Sequence, residues 1–417
     1  MKMGKFFSDE VEQALELIYY KLGEQRGKEG LALLEKAYQN GDADAAYLLS
    51  RCYSGPQYVW KYHGFPEDDD AVVRLIHESI RGGSAMGVLG AMRCGEFDEQ
   101  AQQEMPFADT KEAFHIIYEK AEGGEPFCQH MIGNVYFWGD ILEINKEETE
   151  KMLGDKKAFG EYLVKLNREA IVWLEKAFAN GCSLCGNNLY KLYHDGNDGI
   201  LPVSPKDEER IYRLGAELGY PMWQEDYGCK FWKAGNEKEA VKWWKLALEG
   251  GQLSAYGRLG TAAKQGKGME KNISLAVEYF KHGMEIGECG CCNQLGELYF
   301  QGLEGVPQDY AKAVECFEIS HKNGSNWGND MLAAAKLRGL GCAKDAAAAK
   351  QLLEEADYTS DLKNYGLGVI YAQGLGVPQD IKKGVEYLDK AQDLEWAREE
   401  RAKYKKGFLG KWSVINR

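Results

Sequence analysis

Apolar and small residues recur along this chain at the spacing of one face of an α-helix. Two segments show the pattern best, residues 295–316 (LGELYFQGLEGVPQDYAKAVEC) and residues 367–387 (LGVIYAQGLGVPQDIKKGVEY). In each, apolar and small residues at i, i+4, i+5 and i+8 precede a GVPQD loop, and a second apolar-periodic stretch follows it. Asp309 and Asp380 stand where a carboxylate accepts hydrogen bonds from the free N–H groups that begin a helix. Each segment therefore predicts a helix, a glycine-rich turn and a second helix.

The second-helix pattern recurs along almost the whole chain. Its small-residue position falls ten times, mostly at intervals of 36 to 42 residues, at Ala37, Ser79, Lys120, Ala177, Leu218, Ala247, Gly283, Ser320, Ala356 and Ala391. A period of this length is typical of solenoids, in which each repeat buries its apolar face against its neighbours. The sequence therefore predicts an all-α fold of about ten helix–turn–helix repeats.

The repeats carry a Leu-Gly signature in the first helix, at Leu259-Gly260, Leu295-Gly296 and Leu367-Gly368. With the GVPQD loops, this pattern resembles the Sel-one-like repeat (SLR) family, a relative of the tetratricopeptide solenoids. The resemblance implies an α/α superhelical solenoid that binds other proteins, with its first helices on the concave face and no shared catalytic residues. It is closest over residues 253–391 and looser over residues 1–250. We predict a single solenoid over residues 1–397.

Three insertions and a tail depart from the repeat. Residues 54–63 and 95–109 enlarge loops, and residues 140–165 have a helix-compatible pattern that lengthens the next helix or adds one. Insertions in solenoids map to loops, often on a binding face, but tolerated drift of surface loops explains each of them equally well. Residues 398–417 hold seven basic and two acidic side chains, and we expect them to form a basic C-terminal cap or tail.

The charge balance restricts the partner. The chain has 51 Lys and Arg against 65 Asp and Glu, a net charge of -14. Nucleic acids and anionic membranes need a basic surface, so we predict that neither is bound. No apolar run approaches the roughly 18 residues of a membrane span, and the N-terminal residues do not read as a signal peptide. We expect a soluble, cytoplasmic protein whose partner is a protein or peptide with a basic surface.

Eleven cysteines raise the question of a metal. Cys182 and Cys185 form a CxxC, and a second cluster lies within residues 289–292, but a zinc site would need the two to converge. The repeat register places Cys185 and Cys291 three repeats apart. It also places Cys128, Cys185 and Cys291 where a small apolar residue lets first helices pack closely. We therefore predict reduced thiols and no bound metal.

Catalytic motifs are missing from the sequence. We find no phosphate-binding loop, HExxH, GxSxG or dinucleotide-binding glycine motif. None of the seven histidines stands near a Cys, Asp or Glu at a recognised ligand or triad spacing. The acidic run PEDDD at residues 66–70 matches the loop and cap position of GVPQD, so a helix cap explains it better than a divalent ion does. We predict no catalytic residue, no metal and no cofactor.

One position of the first helix is a candidate for binding. The ninth residue after the small residue lies away from the packing face and should recur along one side of the solenoid, which the resemblance implies is the concave side. In the middle repeats this position, with the Trp beside its first member, gives a strip of Phe137, Trp138, His194, Trp232, Lys264 and Phe300. Aromatic rows of this kind are typical of hot spots for a peptide or partner helix. Alternatively, these rings pack on the adjacent repeat.

The sequence thus predicts a non-catalytic scaffold or adaptor that binds a protein or peptide on its concave face. Two alternatives remain open. One is an immunity or antitoxin-type protein that neutralises a toxin or effector, with the insertions covering its target. The other is an enzyme with a hydrolytic site in the groove.

Overall fold

The computed structural model describes residues 5–20, 26–54, 65–303, 305–355, 358–407 and 410–415. These residues form twenty-five α-helices and two short β-strands, divided between two compact units, Met1–Ala255 and Tyr256–Arg417. The insertion at residues 54–63 lies outside the described residues except for Ser54, and so does the repeat position Ala356. None of the described helices has both the length and the apolar character that crossing a bilayer requires.

Unit 1 holds sixteen of the described helices. In chain order they are α1 Asp9–Tyr19, α2 Gly27–Gln39, α3 Ala43–Tyr53, α4 Asp69–Arg81, α5 Ala85–Cys94, α6 Glu99–Glu104, α7 Thr110–Glu122, α8 Pro126–Trp138, α9 Ile141–Ile144, α10 Lys146–Leu153, α11 Lys156–Ala179, α12 Cys185–His194, α13 Gly196–Gly199, α14 Pro205–Glu217, α15 Pro221–Lys233 and α16 Glu237–Glu249.

Unit 2 takes in α17 from its second residue onward and ends in a β-hairpin. Its elements are α17 Ala255–Gln265, α18 Ile273–Glu285, α19 Cys289–Gln301, α20 Tyr310–Lys322, α21 Asn326–Arg338, α22 Ala346–Glu355, α23 Asp361–Gln373, α24 Ile381–Lys390, α25 Glu395–Arg401, β1 Tyr404–Lys406 and β2 Trp412–Val414. The two strands are antiparallel, with Tyr404 opposite Val414.

The long helices pack in pairs, a first helix against a second. In unit 1 the pairs are α1–α2, α3–α4, α5–α7, α8–α11, α12–α14 and α15–α16, and in unit 2 they are α17–α18, α19–α20, α21–α22 and α23–α24. Within each unit, second helices also pack on the first helix of the next pair, as α7 does on α8 and α20 on α21. The predicted all-α solenoid architecture of about ten helix–turn–helix repeats is confirmed for the described residues.

The Leu-Gly signature marks the place where a first helix meets its second helix. A Cβ atom added to Gly296 would lie 2.3 Å from the Phe317 ring, and one added to Gly260 would lie 2.5 Å from the Phe280 ring. Real Cβ atoms do not approach other atoms so closely, so any larger residue would push the two helices apart. Glycine is therefore the residue that lets a ring of the second helix reach the first.

The predicted helix caps are confirmed. Asp309 Oδ1 accepts a hydrogen bond from the Lys312 N–H at 3.1 Å, and Asp380 Oδ1 accepts one from the Lys383 N–H at 2.9 Å. In the PEDDD run, Asp68 Oδ1 accepts from the Ala71 N–H at 2.9 Å and begins α4. The acidic run is thus a cap followed by an acidic first turn, the arrangement that a helix N-terminus favours.

The insertion at residues 140–165 is helical. It adds α9 and α10, and it begins α11 at Lys156, so that α11 reaches 24 residues. Residues 95–109 contain the short helix α6. The tail forms the end of α25 and the β-hairpin, whose second strand packs on α24. The hairpin was not predicted, because strands of three residues are too short to show an alternating pattern.

Candidate functional site

Trp138 is the candidate strip residue with the most accessible ring. It is the last residue of α8, and Gly139 ends the helix with a φ of +83°, which favours glycine. Half of the Trp138 surface (50%) is exposed, and no other described Phe, Tyr or Trp is as exposed. The Arg93 guanidinium lies 4.9 Å from the centre of the Trp138 ring, and its Nη1 is 3.0 Å from Asp140 Oδ1. The indole is therefore accessible but held in place by charged neighbours.

Phe137, the residue before Trp138, points into the core of unit 1. Only 4% of its surface is exposed, and it belongs to the apolar cluster of unit 1 that includes Leu189 and Leu192 of α12. Its ring meets the Trp138 ring edge to face at 4.8 Å. Neighbouring residues on a helix differ by about 100° in direction, so burial of one is consistent with exposure of the next. The buried Phe137 ring therefore packs against the Trp138 ring from the core side, and it is not itself available to a partner.

His194 and Trp232 occupy the last turns of two further first helices in unit 1. The His194 side chain is 53% exposed, stacks on Tyr190 at 4.7 Å between ring centres, and places Nδ1 3.0 Å from Glu208 Oε2. Trp232 is half-buried, and its ring lies 5.1 Å from that of Trp244 on α16. Both side chains are accessible in part, and both rest on an aromatic ring of their own unit.

The unit 2 members of the strip have partners within that unit. Lys264 Nζ lies 2.9 Å from Glu297 Oε2 and 3.0 Å from Gln294 Oε1. Phe300 is half-buried and packs on three aromatic rings, at 5.0, 6.3 and 5.5 Å between ring centres, namely those of Tyr310, Phe317 and Trp396. The packing alternative, in which the ring lies against neighbouring elements, describes the surroundings of Phe300 well.

Polar side chains beside His194 are tied into a network. Glu175 accepts hydrogen bonds from the Tyr193 hydroxyl and from Arg210, and Arg210 Nε lies 3.1 Å from Asp207 Oδ1. Burial and the bond to Glu175 hold the pKa of Tyr193 well above its usual value. Since these groups satisfy one another, the network fixes the end of α12.

A second cluster joins His130 of α8 to the CxxC between α11 and α12. After α11 ends, Gly181 adopts a φ of +127°, a conformation that other residues rarely take. This sharp turn directs Cys182 into the core, and Cys185 begins α12. All three side chains are buried. The His130, Cys182 and Cys185 ligand atoms lie within 4.8 Å of one another, and they form the one such group of three found among the described residues.

Hydrogen bonds define the state of this cluster. His130 Nδ1 is 3.2 Å from Cys185 Sγ, and Asn134 Nδ2 is 3.0 Å from His130 Nε2. Asn188 Nδ2 donates in turn to Asn134 Oδ1 at 2.7 Å. Burial raises the pKa of the Cys185 thiol well above its usual value, and burial together with Arg51 lowers the pKa of His130 to about 3. Without a ligand, the cluster therefore holds a neutral Cys185 thiol and a neutral His130 imidazole.

No histidine stands at a recognised ligand spacing from a cysteine in the sequence, but the fold brings His130 beside Cys182 and Cys185. His130 precedes Cys182 by 52 residues, so no sequence spacing reveals the contact. The alignment of the repeats, however, indicates this contact. His130 stands two residues after the small position Cys128, as Gly257 stands two after Ala255. A Cβ on Gly257 would lie 3.3 Å from Cys291 Sγ, at the small position of the next repeat. The equivalent contact in unit 1 joins His130 to Cys185.

Comparisons with known proteins agree with the repeat pattern. The family model described as Sel1 repeat matches residues 152–182, 233–252, 253–281, 290–325, 330–356 and 364–394. The chain is 30% identical over 79 residues to chitin synthase regulatory factor 2 of Schizosaccharomyces pombe, covering 19% of this chain and 15% of that protein. It is 29% identical over 123 residues to the ERAD-associated E3 ubiquitin-protein ligase component HRD3B of Arabidopsis thaliana, covering 29% of this chain and 19% of that protein.

The aligned regions thus span less than a fifth of the length of either curated relative. Among solved structures, a Sel1 repeat protein from Oxalobacter formigenes is 23% identical, with a TM-score of 0.47, and the match covers 56% of this chain and 98% of that one. The family model thus identifies six Sel1 repeats in this chain, and its last four matches fall on the helix pairs α17–α18, α19–α20, α21–α22 and α23–α24.

Proposed function

We propose that this protein is a non-catalytic scaffold that binds a protein or peptide on the first-helix face of unit 1. Sel1 repeats commonly serve as protein-interaction scaffolds and are generally of a non-catalytic, adaptor type. The observation that carries the proposal is Trp138, a half-exposed indole at the end of a first helix. His194 and Trp232, at the ends of two further first helices, extend the proposed surface.

The surroundings of Trp138 suit a binding hot spot. Tryptophan and arginine are the residues most enriched in hot spots, and Arg93 lies against the Trp138 ring. Phe137 below and the Arg93–Asp140 ion pair beside it restrict the indole before any partner arrives. A side chain that is already ordered loses little conformational entropy on binding. Little of the free energy gained when a partner buries the exposed half of the indole would therefore be lost in ordering the side chain.

The charge of the chain supports a basic partner. A net charge of -14 speeds the approach of a cationic protein and disfavours an acidic one. Glu208, which faces His194, and Glu209 lie near the proposed surface, and Lys230 Nζ is 2.8 Å from Glu209 Oε2. We expect the association rate to fall as salt is raised, because the attraction between the two surfaces is screened.

Capture from a lysate of the native host tests the proposal. Wild-type protein, Trp138→Ala and Leu246→Ala are each immobilised, and retained proteins are quantified. Leu246 is a matched apolar control, since it is 37% exposed on the second helix α16. We expect the same stoichiometric partner with wild type and Leu246→Ala, and much less of it with Trp138→Ala. Equal retention by all three would contradict a binding site at Trp138, and substrate turnover without a partner would favour an enzyme.

A further inference from the structure

We propose that His130, Cys182 and Cys185 form a buried binding site for a thiophilic d¹⁰ metal ion, Zn²⁺ or Cu⁺. Two thiol sulfurs and one imidazole nitrogen converge from α8 and from the turn between α11 and α12. This donor set is the one that soft and borderline metal ions select over Mg²⁺ or Ca²⁺. The site is independent of the proposed protein-binding surface.

The separations of the donor atoms suit one ion. With Zn–S bonds of about 2.3 Å and Zn–N bonds of about 2.0 Å, the ligand atoms of a zinc site lie roughly 3.5 Å apart. His130 Nδ1 and Cys185 Sγ are 3.2 Å apart, and all three donor atoms lie within 4.8 Å of one another. Small side-chain rotations are therefore enough to surround an ion, without any movement of the helices.

The CxxC turn is fixed by its neighbours. Asn180 Nδ2 donates to Gln129 Oε1 at 2.9 Å, which ties the turn to the residue before His130. Trp223 Nε1 donates to the Ser183 carbonyl at 3.1 Å on the other side of the turn. A site whose ligands are held before binding loses little entropy when the ion enters. The turn therefore presents Cys182 and Cys185 as an organised pair.

The side-chain amides of Asn134 and Asn188 can form hydrogen bonds with His130 and with each other in both the empty and the metal-bound site. In the empty site Asn134 donates to His130 Nε2, so Nδ1 carries the proton and points at Cys185 Sγ. A bound ion needs the Nδ1 lone pair, with a proton on Nε2 instead. Rotation of the Asn134 and Asn188 amides by 180° would let Asn134 Oδ1 accept that proton and keep the contact between the two amides. The acceptor at Nε2–H is the arrangement usual for metal-binding histidines.

Binding of the metal ion releases protons from the two cysteine thiols. Two thiols and one neutral imidazole give two thiolates and one neutral imidazole, so each ion that binds releases two protons. With Zn²⁺ the filled site is neutral, which favours it in a buried position. With Cu⁺ the site carries one negative charge, but three ligands already complete a common coordination for that ion. The two ions are therefore separate arms of the test.

Titration of the reduced, metal-free full chain with Zn²⁺ alone and with Cu⁺ alone, each against a chromophoric chelator, tests the proposal. We expect one equivalent of one of the two ions to bind and to raise the melting temperature. Cys182→Ser and Cys185→Ser should each lower the affinity more than about 100-fold, because changes beyond the ligands already cost roughly 10–100-fold. Cys291→Ser is the matched control, since Cys291 is equally buried at the same repeat position.

Asn134 provides a test that does not alter a ligand. Asn134→Asp keeps an acceptor for His130 Nε2–H and should retain ion binding. Asn134→Leu should weaken it about 10–100-fold, with an unchanged circular dichroism spectrum. The proposal is overturned if neither ion binds at one equivalent, if binding is the same in Cys182→Ser and Cys185→Ser, or if Cys182 and Cys185 form a disulfide under reducing conditions.

Discussion

Single glycines decide how closely the two helices of a repeat approach. Gly260, Gly296 and Gly368 each meet a bulky side chain of the second helix, at less than 3 Å from where a Cβ would stand. The Leu-Gly signature could therefore be found in the sequence, because a packing requirement repeats with the period of the fold. Contacts that occur once, such as that of His130 with the CxxC, leave no period and could not be predicted in the same way.

Replacement of Gly296 by Ala should destabilise unit 2. The new methyl group would stand 2.3 Å from the Phe317 ring, which is buried and cannot move away freely. We expect a loss of about 1–3 kcal/mol in the free energy of unfolding, as in other overpacked cores. Gly290→Ala in the same helix is the control, since its Cβ would meet only Glu288 at 3.6 Å. Equal effects of the two changes would contradict this explanation of the signature.

Asp330 is a buried carboxylate that folding leaves poorly solvated. Its Oδ2 accepts a hydrogen bond from the Ser360 hydroxyl at 2.5 Å, while Oδ1 has no hydrogen-bond partner. Burial raises the pKa of Asp330 above its ordinary value near 3.8. In the pH range just above that value the folded state binds the proton more tightly than the unfolded state, so this group lowers stability as pH rises through the range.

Asp330→Asn should therefore improve relative stability at neutral pH. The variant removes the cost of a buried negative charge at pH 7, whereas at pH 3 the wild-type carboxyl is itself mostly neutral. We expect the difference in urea midpoint, variant minus wild type, to be more positive at pH 7 than at pH 3. Measurement against wild type at each pH cancels the titration of other groups. A difference that is constant with pH would show that Asp330 is not destabilising when ionised.

At the scale of elements, the predictions follow the strength of the periodic signal. Long helices, their caps and the helical insertion at residues 140–165 have clear patterns and could be predicted. The orientation of the strip could not be predicted residue by residue. Phe137 packs against α12, so the exposed position moves one residue onward to Trp138. A shift of one residue turns a side chain by about 100° around the helix. Counting positions from repeat to repeat cannot locate the exposed residue this exactly where insertions make the repeats unequal in length.

Helix α25 contributes one ring to the packing of three first helices in unit 2. The Trp396 ring lies 5.5 Å from Phe300, 5.9 Å from Tyr365 and 4.3 Å from the Arg338 guanidinium. Phe300 and Arg338 are separated by 38 positions in sequence, yet the Trp396 ring contacts both of them. Helix α25 therefore stabilises the side of unit 2 that its first helices form.

Phe300→Ala should consequently affect stability. We expect the variant to lose up to about 3 kcal/mol of unfolding free energy, the lower end for buried rings, because Phe300 is half-buried. Trp138→Ala should lose less, about 1 kcal/mol, because half of the indole is already exposed and the variant loses only its contacts with Arg93 and Phe137. Thermal or urea melts of both variants measure the difference. Equal stability of the Phe300 variant and wild type would restore Phe300 as a candidate binding residue.

At the scale of the whole molecule, stability in a repeat protein is a sum of repeat terms and neighbour interfaces. Residues 253–391 follow the repeat pattern most closely, whereas residues 1–110 follow it loosely. We expect amides in residues 253–417 to exchange more slowly than those in residues 1–110, because weak repeats open separately. Hydrogen exchange followed by mass spectrometry measures this order. Stronger protection of residues 1–110 would contradict it.

The central claim is that Trp138 is an exposed, pre-ordered anchor for a protein partner. The most direct measurement is calorimetric titration of the purified partner into wild type, Trp138→Ala and the control Leu246→Ala, with melts to show that all three are folded. We predict that Trp138→Ala weakens binding by about 2 kcal/mol or more, the usual threshold of a hot spot, while Leu246→Ala binds like wild type. Affinities within experimental error for all three proteins would contradict the claim.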